Sequence, residues 1–251
     1  MSLPQPDKSS AQVKAMFDSI AHSYDLLNHL LSANQDQLWR ARAVKRLGAR
    51  RGERVLDLCC GTGALTRKLR EHTPDAQVTG ADFSPQMLAI ARRNSPDNLK
   101  YVEADALDLP FPDGAFDAVT VAFGVRNFEQ TPAGMREIAR VLRPGGRLLV
   151  LEFMRPTNPW LMRFFAAFNL VLAPIGRAVS RHATAYNYLP QSVEGFYTRR
   201  EFEQLLRAEG FTDVRSFEHT LGVATAFLAR KNEPSAADEF AARKKRQPAL
   251  T

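Results

Sequence analysis

The residue types and spacings best suited to chemistry lie in Val55-Leu-Asp-Leu-Cys-Cys-Gly-Thr-Gly63 and, farther along, in Val78-Thr-Gly-Ala-Asp82. An apolar run, a glycine turn and a second apolar run ending in a carboxylate are the parts of a βαβ nucleotide site. Glycines let the backbone approach a ligand, N–H groups at the next helix start face an anion, and the later acid accepts from ribose hydroxyls. A dinucleotide fingerprint wants a third glycine at position 66, where this chain has Thr66. Asp57-x-x-x-Gly61-Thr-Gly63 suits instead a ligand with adenosine and a charged amino-acid tail, S-adenosylmethionine. Asp57, Gly61, Thr62 and Gly63 then form the cradle, with the Thr62 hydroxyl available as a donor, and Asp82 accepts from both ribose hydroxyls. Phe83, beside Asp82, is assigned to the same site. Asp105 is placed to hold the adenine amino group, with the Ala106 amide next to it. The bland alternatives are a plain tight turn at 61–63, a helix cap at Asp82 (for which Ser84 is better placed) and a solvated turn residue at Asp105.

Phe123-Gly-Val-Arg-Asn127 follows another apolar run. An arginine beside the expected methyl donor needs an anion or a developing negative charge to meet; the alternative is a salt bridge to a surface acid. Cys59 and Cys60 are the only cysteines and are adjacent, which suits small apolar filler behind the turn better than a redox or metal pair. The histidines, His22, His29, His72, His182 and His219, have no metal-ligand spacing, so no metal is expected.

These residues need elements to position them. Val13, Met16, Phe17 and Ile20 share one helical face, which predicts a helix over 11–32, and a second spans 35–47 and ends at Gly48. Strands and helices then alternate: strands over 54–58, 77–81, 99–103, 116–122 and 147–153, with helices over 63–71, from Pro85 to about 94, and over 132–142. Ser84-Pro85 is a cap followed by a proline at the first helical position. Pro144-Gly-Gly146 is read as the stop before the fifth strand. This alternation implies an α/β fold with a doubly wound parallel sheet, whose ligands sit at the carboxyl ends of the strands. Every motif above falls at such an end. After 153 the alternation breaks into an apolar helical stretch over 160–180, an aromatic segment Tyr186-Asn-Tyr-Leu-Pro190, a helix over 199–209 and two closing strands over 211–217 and 223–229.

The chain has 251 residues, 45% of them hydrophobic, enough for one large domain with a full core. Residues 1–10 and 232–251 have the composition of disordered ends, leaving 11–231 as the folded domain, with N-terminal helices over 11–50 and a substrate-side helical insertion over 155–198. The polar start is no signal peptide, no apolar run spans a bilayer, and the paired cysteines suit a reducing cytoplasm. The net charge of +7 favours anionic partners. It gathers between Arg40 and Arg54 and in Arg243-Lys-Lys-Arg246. Solvated surface charge is the plain reading.

A family resemblance rests on Phe17-Asp-Ser-Ile-Ala-His-Ser-Tyr24-Asp25-Leu-Leu-Asn28, Leu38-Trp39-Arg40, Asp57-Leu-Cys-Cys-Gly-Thr-Gly63, Ala81-Asp-Phe-Ser-Pro-Gln-Met87, Phe123-Gly-Val-Arg-Asn127, Arg143-Pro-Gly-Gly-Arg-Leu-Leu-Val-Leu-Glu-Phe153 and Tyr186-x-Tyr-Leu-Pro190, all in order. Over nearly all of 11–231 the chain resembles the ubiquinone/menaquinone biosynthesis C-methyltransferases. The resemblance implies a class I S-adenosylmethionine-dependent methyltransferase fold, Rossmann-like, whose seven-stranded sheet has an antiparallel last pair. It implies S-adenosylmethionine as donor, contacted by Thr62, Asp82, Asp105 and Ala106, and the ring carbon of a prenylated quinol as acceptor. Some relatives use a serine just before the Phe-Gly of the fourth-strand motif; this chain has Ala122.

The expected mechanism follows from ring chemistry. A ring hydroxyl losing its proton pushes electron density onto the neighbouring carbon, so the acceptor is the reduced quinol. Arg126 is assigned to stabilise that oxygen, Tyr24 and Asn127 to orient the ring, and His22 or Asp25 to take the proton. The spelling of Asn28-His-Leu-Leu-Ser32 and Leu38-Trp39-Arg40 favours demethylmenaquinol, converted to menaquinol, over a polyprenyl benzoquinol of the ubiquinone route. The 160–180 stretch, flanked by Arg163 and Arg177, together with the basic first helices suggests transient docking on an anionic leaflet at the inner face of the cell membrane; as an ordinary core or dimer helix it is equally consistent, which leaves a homodimer open. Competing readings are another small-molecule methyltransferase, a dehydrogenase (disfavoured by Thr66) and a basic nucleic-acid-binding protein. The last is disfavoured because no binding module is visible and no aromatics interleave the basic cluster.

Overall fold

The computed structural model of the chain describes residues 9–32, 34–158 and 183–233, without the side chains of 10, 23, 25–31 and 183–187. The stretch over 160–180 and nearly all of the ends expected to be disordered lie outside the described residues.

Helices α1 (Ser10–Leu31) and α2 (Gln35–Leu47) precede β1 (Arg54–Leu58), α3 (Ala64–His72), β2 (Gln77–Asp82), α4 (Pro85–Arg93), β3 (Lys100–Glu103), β4 (Phe116–Ala122), α5 (Thr131–Val141) and β5 (Leu142–Glu152). Then come α6 (Ala183–Glu194), α7 (Arg199–Ala208), β6 (Phe211–His219) and β7 (Ala224–Lys231). The seven strands form one sheet in the order β3-β2-β1-β4-β5-β7-β6. The first five are parallel, and β7 runs antiparallel to both β5 and β6. The chain winds outward from β1 in both directions, so the strand order switches between β1 and β4, where such sheets open a ligand crevice.

Both faces are covered, as a parallel centre requires. Leu56 and Leu58 of β1 point to one side and pack with Met135, Ile138, Phe202 and Leu206 of α5 and α7. Val55 points to the other, among Trp39, Val44, Leu65, Leu69 and Leu88 of α2, α3 and α4. Local chemistry fixes the helix ends. Gly48 closes α2 in the left-handed region at φ 58°, where its N–H reaches the Val44 carbonyl. The Ser84 hydroxyl accepts from the Met87 N–H ahead of Pro85. Thr198 and Glu201 form a capping box at α7. Across this frame lies α1, whose Phe17, Ala21 and Tyr24 pack on Met87 and Ile90 of α4. That packing carries Tyr24 to the carboxyl end of the sheet.

One expectation is corrected. Pro144-Gly-Gly146 does not end the helix ahead of a separate strand: pairing with β4 begins at Leu142, opposite Phe116, and resumes with Arg147 opposite Ala118. A bulge absorbs the residues between and tolerates a proline that cannot donate. Inside the stretch over 155–198 expected to be helical, the aromatic segment at 186–190 is part of helix α6, with Pro190 within it. Among the described residues no helix is long and apolar enough to cross a membrane.

Candidate active site

The turn after β1 is tight because Cys59, Gly61 and Gly63 all adopt positive φ, at 55°, 54° and 83°. The Cys60 N–H donates to the Ala81 carbonyl at 3.0 Å, tying this turn to β2. Asp82 strengthens the tie: its Oδ2 accepts from the Gly61 N–H at 2.8 Å and its Oδ1 from the Ser84 N–H at 2.9 Å. The carboxylate keeps lone pairs for further donors such as ribose hydroxyls. Burial pushes its pKa up to about 6, against those backbone N–H groups, which pull it down.

The carboxyl ends of β1 to β4 enclose a cavity of about 670 Å³, lined by Gly61, Asp82, Phe83, residues 104–107, residues 122–124, Asn127, Phe128 and Glu129, with Phe17, Tyr24 and Met87 from the helices. A smaller hollow of about 310 Å³ shares Tyr24, Cys59, Gly61 and Ala122 with it and adds Arg40, Asp57, Cys60, Thr62, Ala64 and Leu65. Gly61 is common to both.

Most residues assigned from the sequence line one hollow or the other. Tyr24, Gly61, Asp82, Phe83, Asp105, Ala106 and Asn127 line the large one; Asp57 and Thr62 line the small one. Asp57 is bound by the Thr66 hydroxyl at 2.6 Å and the Thr120 hydroxyl at 2.9 Å, so the residue replacing a third glycine anchors the acid. Burial lifts its pKa to about 6, while those hydroxyls and Arg40 pull it down. Gly63 lines neither hollow; a Cβ there would stand 2.5 Å from the Tyr101 hydroxyl, so it serves close packing against β3. Asp105 is exposed and its Oδ1 accepts from the Leu107 N–H at 2.9 Å, so it is both a turn acid and a cavity wall. Cys60 is buried core; Cys59 is half-buried and borders both hollows, so it is more than filler. Burial, then Asp82 and Asp57, push both thiols well above their usual range, which disfavours thiolate chemistry.

Arg126 differs from both alternatives weighed for it. It is buried, lines neither hollow, and pairs with an interior acid: its Nη1 donates to Glu152 Oε1 at 2.8 Å and to the Phe123 carbonyl at 2.6 Å. Its Nε has no hydrogen-bond partner. Burial opposes the Arg126 charge most strongly, but Glu152, Tyr24 and Tyr188 together outweigh it and the pKa ends above its usual value. Asn127 is held by the Tyr188 hydroxyl, which donates to its Oδ1 at 3.0 Å. His22 is exposed on α1 and lines neither hollow; Asp25 lies one turn on, its side chain not described.

Sequence reasoning missed Glu152, Tyr188 and Arg40. An acid ending β5 as Asp82 ends β2 was the available signal for the first. Tyr188 stood in a noted motif without a role. Arg40 was counted among surface cations although only 7% of it is exposed. The arrangement as a whole can hold an adenosyl group between Asp82 and Asp105, and it presents an aromatic and amide wall of Tyr24, Phe123 and Asn127 to a planar second ligand.

Comparisons with known proteins agree with this geometry. The sequence profile of the ubiE/COQ5 methyltransferase family matches residues 5–231. A demethylmenaquinone methyltransferase of Thermus thermophilus is 48% identical over 213 residues, covering 83% of this chain and 96% of the relative. One of Deinococcus radiodurans is 44% identical over 230 residues, covering 90% and 94%. Among solved structures, a SAM dependent methyltransferase from Aquifex aeolicus superposes with a TM-score of 0.61 at 17% identity, over 82% of this chain and 97% of that one, a likeness of fold.

Proposed function

The chain belongs to the ubiE/COQ5 methyltransferase family, and from that premise we propose that it methylates a ring carbon of a prenylated quinol, converting demethylmenaquinol to menaquinol with S-adenosylmethionine as donor. The observation that carries this reading is the pair of hollows that share Gly61 at the β1/β4 switch, one bordered by Asp82 and Asp105, the other by Arg40 and the start of α3. Asp82, Asp105, Ala106 and Phe83 would hold the adenosine, with Gly61, Thr62 and Asp57 at the tail. When bound, the donor supplies an electrophilic methyl group on its sulfonium.

The chain's own residues prepare the acceptor. Tyr24 and Asn127 orient the ring against the wall they share. With its Oδ1 taken by Tyr188 and one N–H of its amide reaching the Phe123 carbonyl at 3.4 Å, Asn127 keeps its second N–H as a donor for a ring oxygen. Arg126 acts at one remove: it lines neither hollow, and its positive field favours the ionised ring hydroxyl across Asn127 and the two tyrosines. The released proton leaves toward α1, to His22 or Asp25 through a water. Docking on an anionic leaflet, which brings the isoprenoid acceptor to the cavity, belongs to the same proposal.

Labelled S-adenosylmethionine offered with each acceptor in reduced form tests it. Label is expected in demethylmenaquinol, with little in a polyprenyl benzoquinol. Preferential labelling of the benzoquinol would overturn the choice of ring, and label in neither would overturn the quinol reading.

A further inference from the structure

We propose that the turn between β6 and β7 is a membrane-inserting tip that sets Leu221, with Leu38 beside it, into the surface of an anionic leaflet; this rests on the leaflet docking and prenylated acceptor of the reading above. Leu221 is 94% exposed, and Leu38, at 42%, is the other large hydrophobic residue that stands exposed among the described residues. Single exposed leucines are ordinary on a protein surface. These two are joined. The Trp39 indole N–H donates to the Thr220 hydroxyl at 2.9 Å, so each leucine is the chain neighbour of one partner in the same bond.

The turn presents Leu221 against its own backbone preference. Thr220, Leu221 and Gly222 follow one another at φ 46°, 57° and 92°. Glycine takes the left-handed region readily, whereas a β-branched or bulky residue there is a clear outlier. A turn shaped only by the needs of its two strands would favour Asn, Asp or Gly at such positions. Here the Trp39 bond and the Val223 N–H, which donates to the Thr220 carbonyl at 3.2 Å, hold the strained form. Strain that raises a leucine into solvent is not offset by burial within the chain, which points to a partner outside it.

Position and charge identify that partner. Thr225 of β7 pairs with Glu152, the last residue of β5, so the turn stands at the carboxyl end of the sheet, as the large cavity does. Trp39 links the two: its ring lies 6.3 Å from that of Phe123, which lines the cavity. Arg42 is exposed one turn along α2 from Leu38, and the Arg46 guanidinium lies 4.5 Å from the centre of the Phe217 ring on β6. Both charges reach His219 at the foot of the turn, where burial first, then Arg46 and Arg42, hold the imidazole below its usual pKa. Leucines at a tip with arginines alongside are an interfacial pattern: apolar groups enter the boundary between headgroups and acyl chains, and cations meet anionic lipid. A second copy of the chain fits less well. A stable protein interface covers about 800 Å² on each partner, whereas two leucines at a turn form a point. A bilayer accepts such a point, and it is where a prenylated quinol resides.

Flotation with vesicles of phosphatidylglycerol and phosphatidylethanolamine, at low and at high salt, tests the tip. Leu221→Gln is expected to weaken vesicle binding about tenfold at both salt concentrations, because what is lost is apolar burial and not charge. Leu221→Gly suits φ 57° and removes the side chain, so it should bind as weakly while its melting temperature does not fall. Both variants should methylate a short-tailed quinol in detergent as the unaltered chain does, and lose turnover on an acceptor carried in vesicles. Vesicle binding unchanged in both variants overturns the tip and leaves the docking reading intact. Loss of self-association in place of vesicle binding overturns it in favour of a second copy. Absence of vesicle binding by the unaltered chain, with quinol labelling retained in detergent, overturns docking and tip together, and label in no quinol overturns the acceptor reading itself.

Discussion

Asp82 joins two turns with the carboxylate that a donor's ribose would need, and that double use has a pH signature. Burial lifts its pKa from 3.8 to about 6, so between those values the folded chain holds a proton that the unfolded chain releases. The stability from that proton is full below the unfolded value and is lost as pH rises through about 6. Donor binding runs the other way, because ribose hydroxyls need the ionised acceptor. Affinity for S-adenosylhomocysteine is expected to be flat above pH 7 and to fall by up to about tenfold per pH unit below 6. Asp57 also titrates near 6 but is bound by Thr66 and Thr120. Asp57→Asn should therefore keep the acid limb, and Asp82→Asn should flatten it; calorimetry across pH 5–8 that finds the limb unchanged in Asp82→Asn refutes the assignment. Arg126 poses a different problem, because Glu152 is fully buried and accepts from its side chain and from the backbone N–H groups of Arg126 and Phe153. Arg126→Ala removes a charge from the site and also strands a buried carboxylate, at a cost on the order of 3–5 kcal/mol. Both turnover and melting temperature should drop. Arg126→Met combined with Glu152→Gln removes the stranded charge, so the melting temperature should largely return while turnover stays low. Turnover returning with stability would show that Arg126 serves the fold alone.

At the level of elements, what could be read in the sequence was what depends on local pattern. The 35–47 helix, the 54–58 strand and the 116–122 strand match their observed bounds because periodicity and a glycine stop are properties of the segment itself. Pro144-Gly-Gly146 misled because its turn chemistry is genuine, with Gly145 at φ 68°, yet the partner strand β4 pairs on both sides of it. Only knowledge of the neighbour distinguishes a bulge from a stop. The bounds of helix α6, inside the insertion expected to be helical, were obscured by Pro190, which signals a break that the helix accommodates. The residues proposed for the donor cradle were legible as a group because they cluster in sequence at strand ends. The Arg126–Glu152 pair, the Tyr188–Asn127 bond and the approach of Arg40 to Gly61 were not, since each joins distant segments through packing alone. Thr66 shows the same limit. Its identity excluded one cofactor class, but its bond to Asp57 needed the turn of α3 to bring the two together.

The whole molecule is polar along its strands. The carboxyl pole carries both hollows; the amino pole carries a belt of ion pairs, Arg147 with Glu53, Arg143 with Asp117 at 2.6 Å and Arg51 with Asp75 at 3.4 Å. This divides the basic cluster over 40–54. Arg40 belongs to the site, the Arg46 guanidinium lies 4.5 Å from the centre of the Phe217 ring, and Arg51 is paired, while Lys45, Arg50 and Arg54 are exposed toward the amino pole. Charges facing away from the cavity cannot press it against a leaflet, because screening confines their pull to about 8–10 Å at physiological salt. The 159–182 segment is attached at the other pole: the chain enters it after β5 and returns through α6, whose Tyr188 touches Asn127. If the cavity docks on an anionic surface, Arg163 and Arg177 of that segment should carry the attraction. Co-sedimentation with phosphatidylglycerol vesicles at low salt is therefore expected to survive replacement of Lys45, Arg50 and Arg54 by Gln. It should weaken on Arg163→Gln with Arg177→Gln, by about 1 kcal/mol for each charge removed. The reverse pattern would mean that the protein meets the membrane with its amino pole, leaving the cavity turned away from the pool of its acceptor.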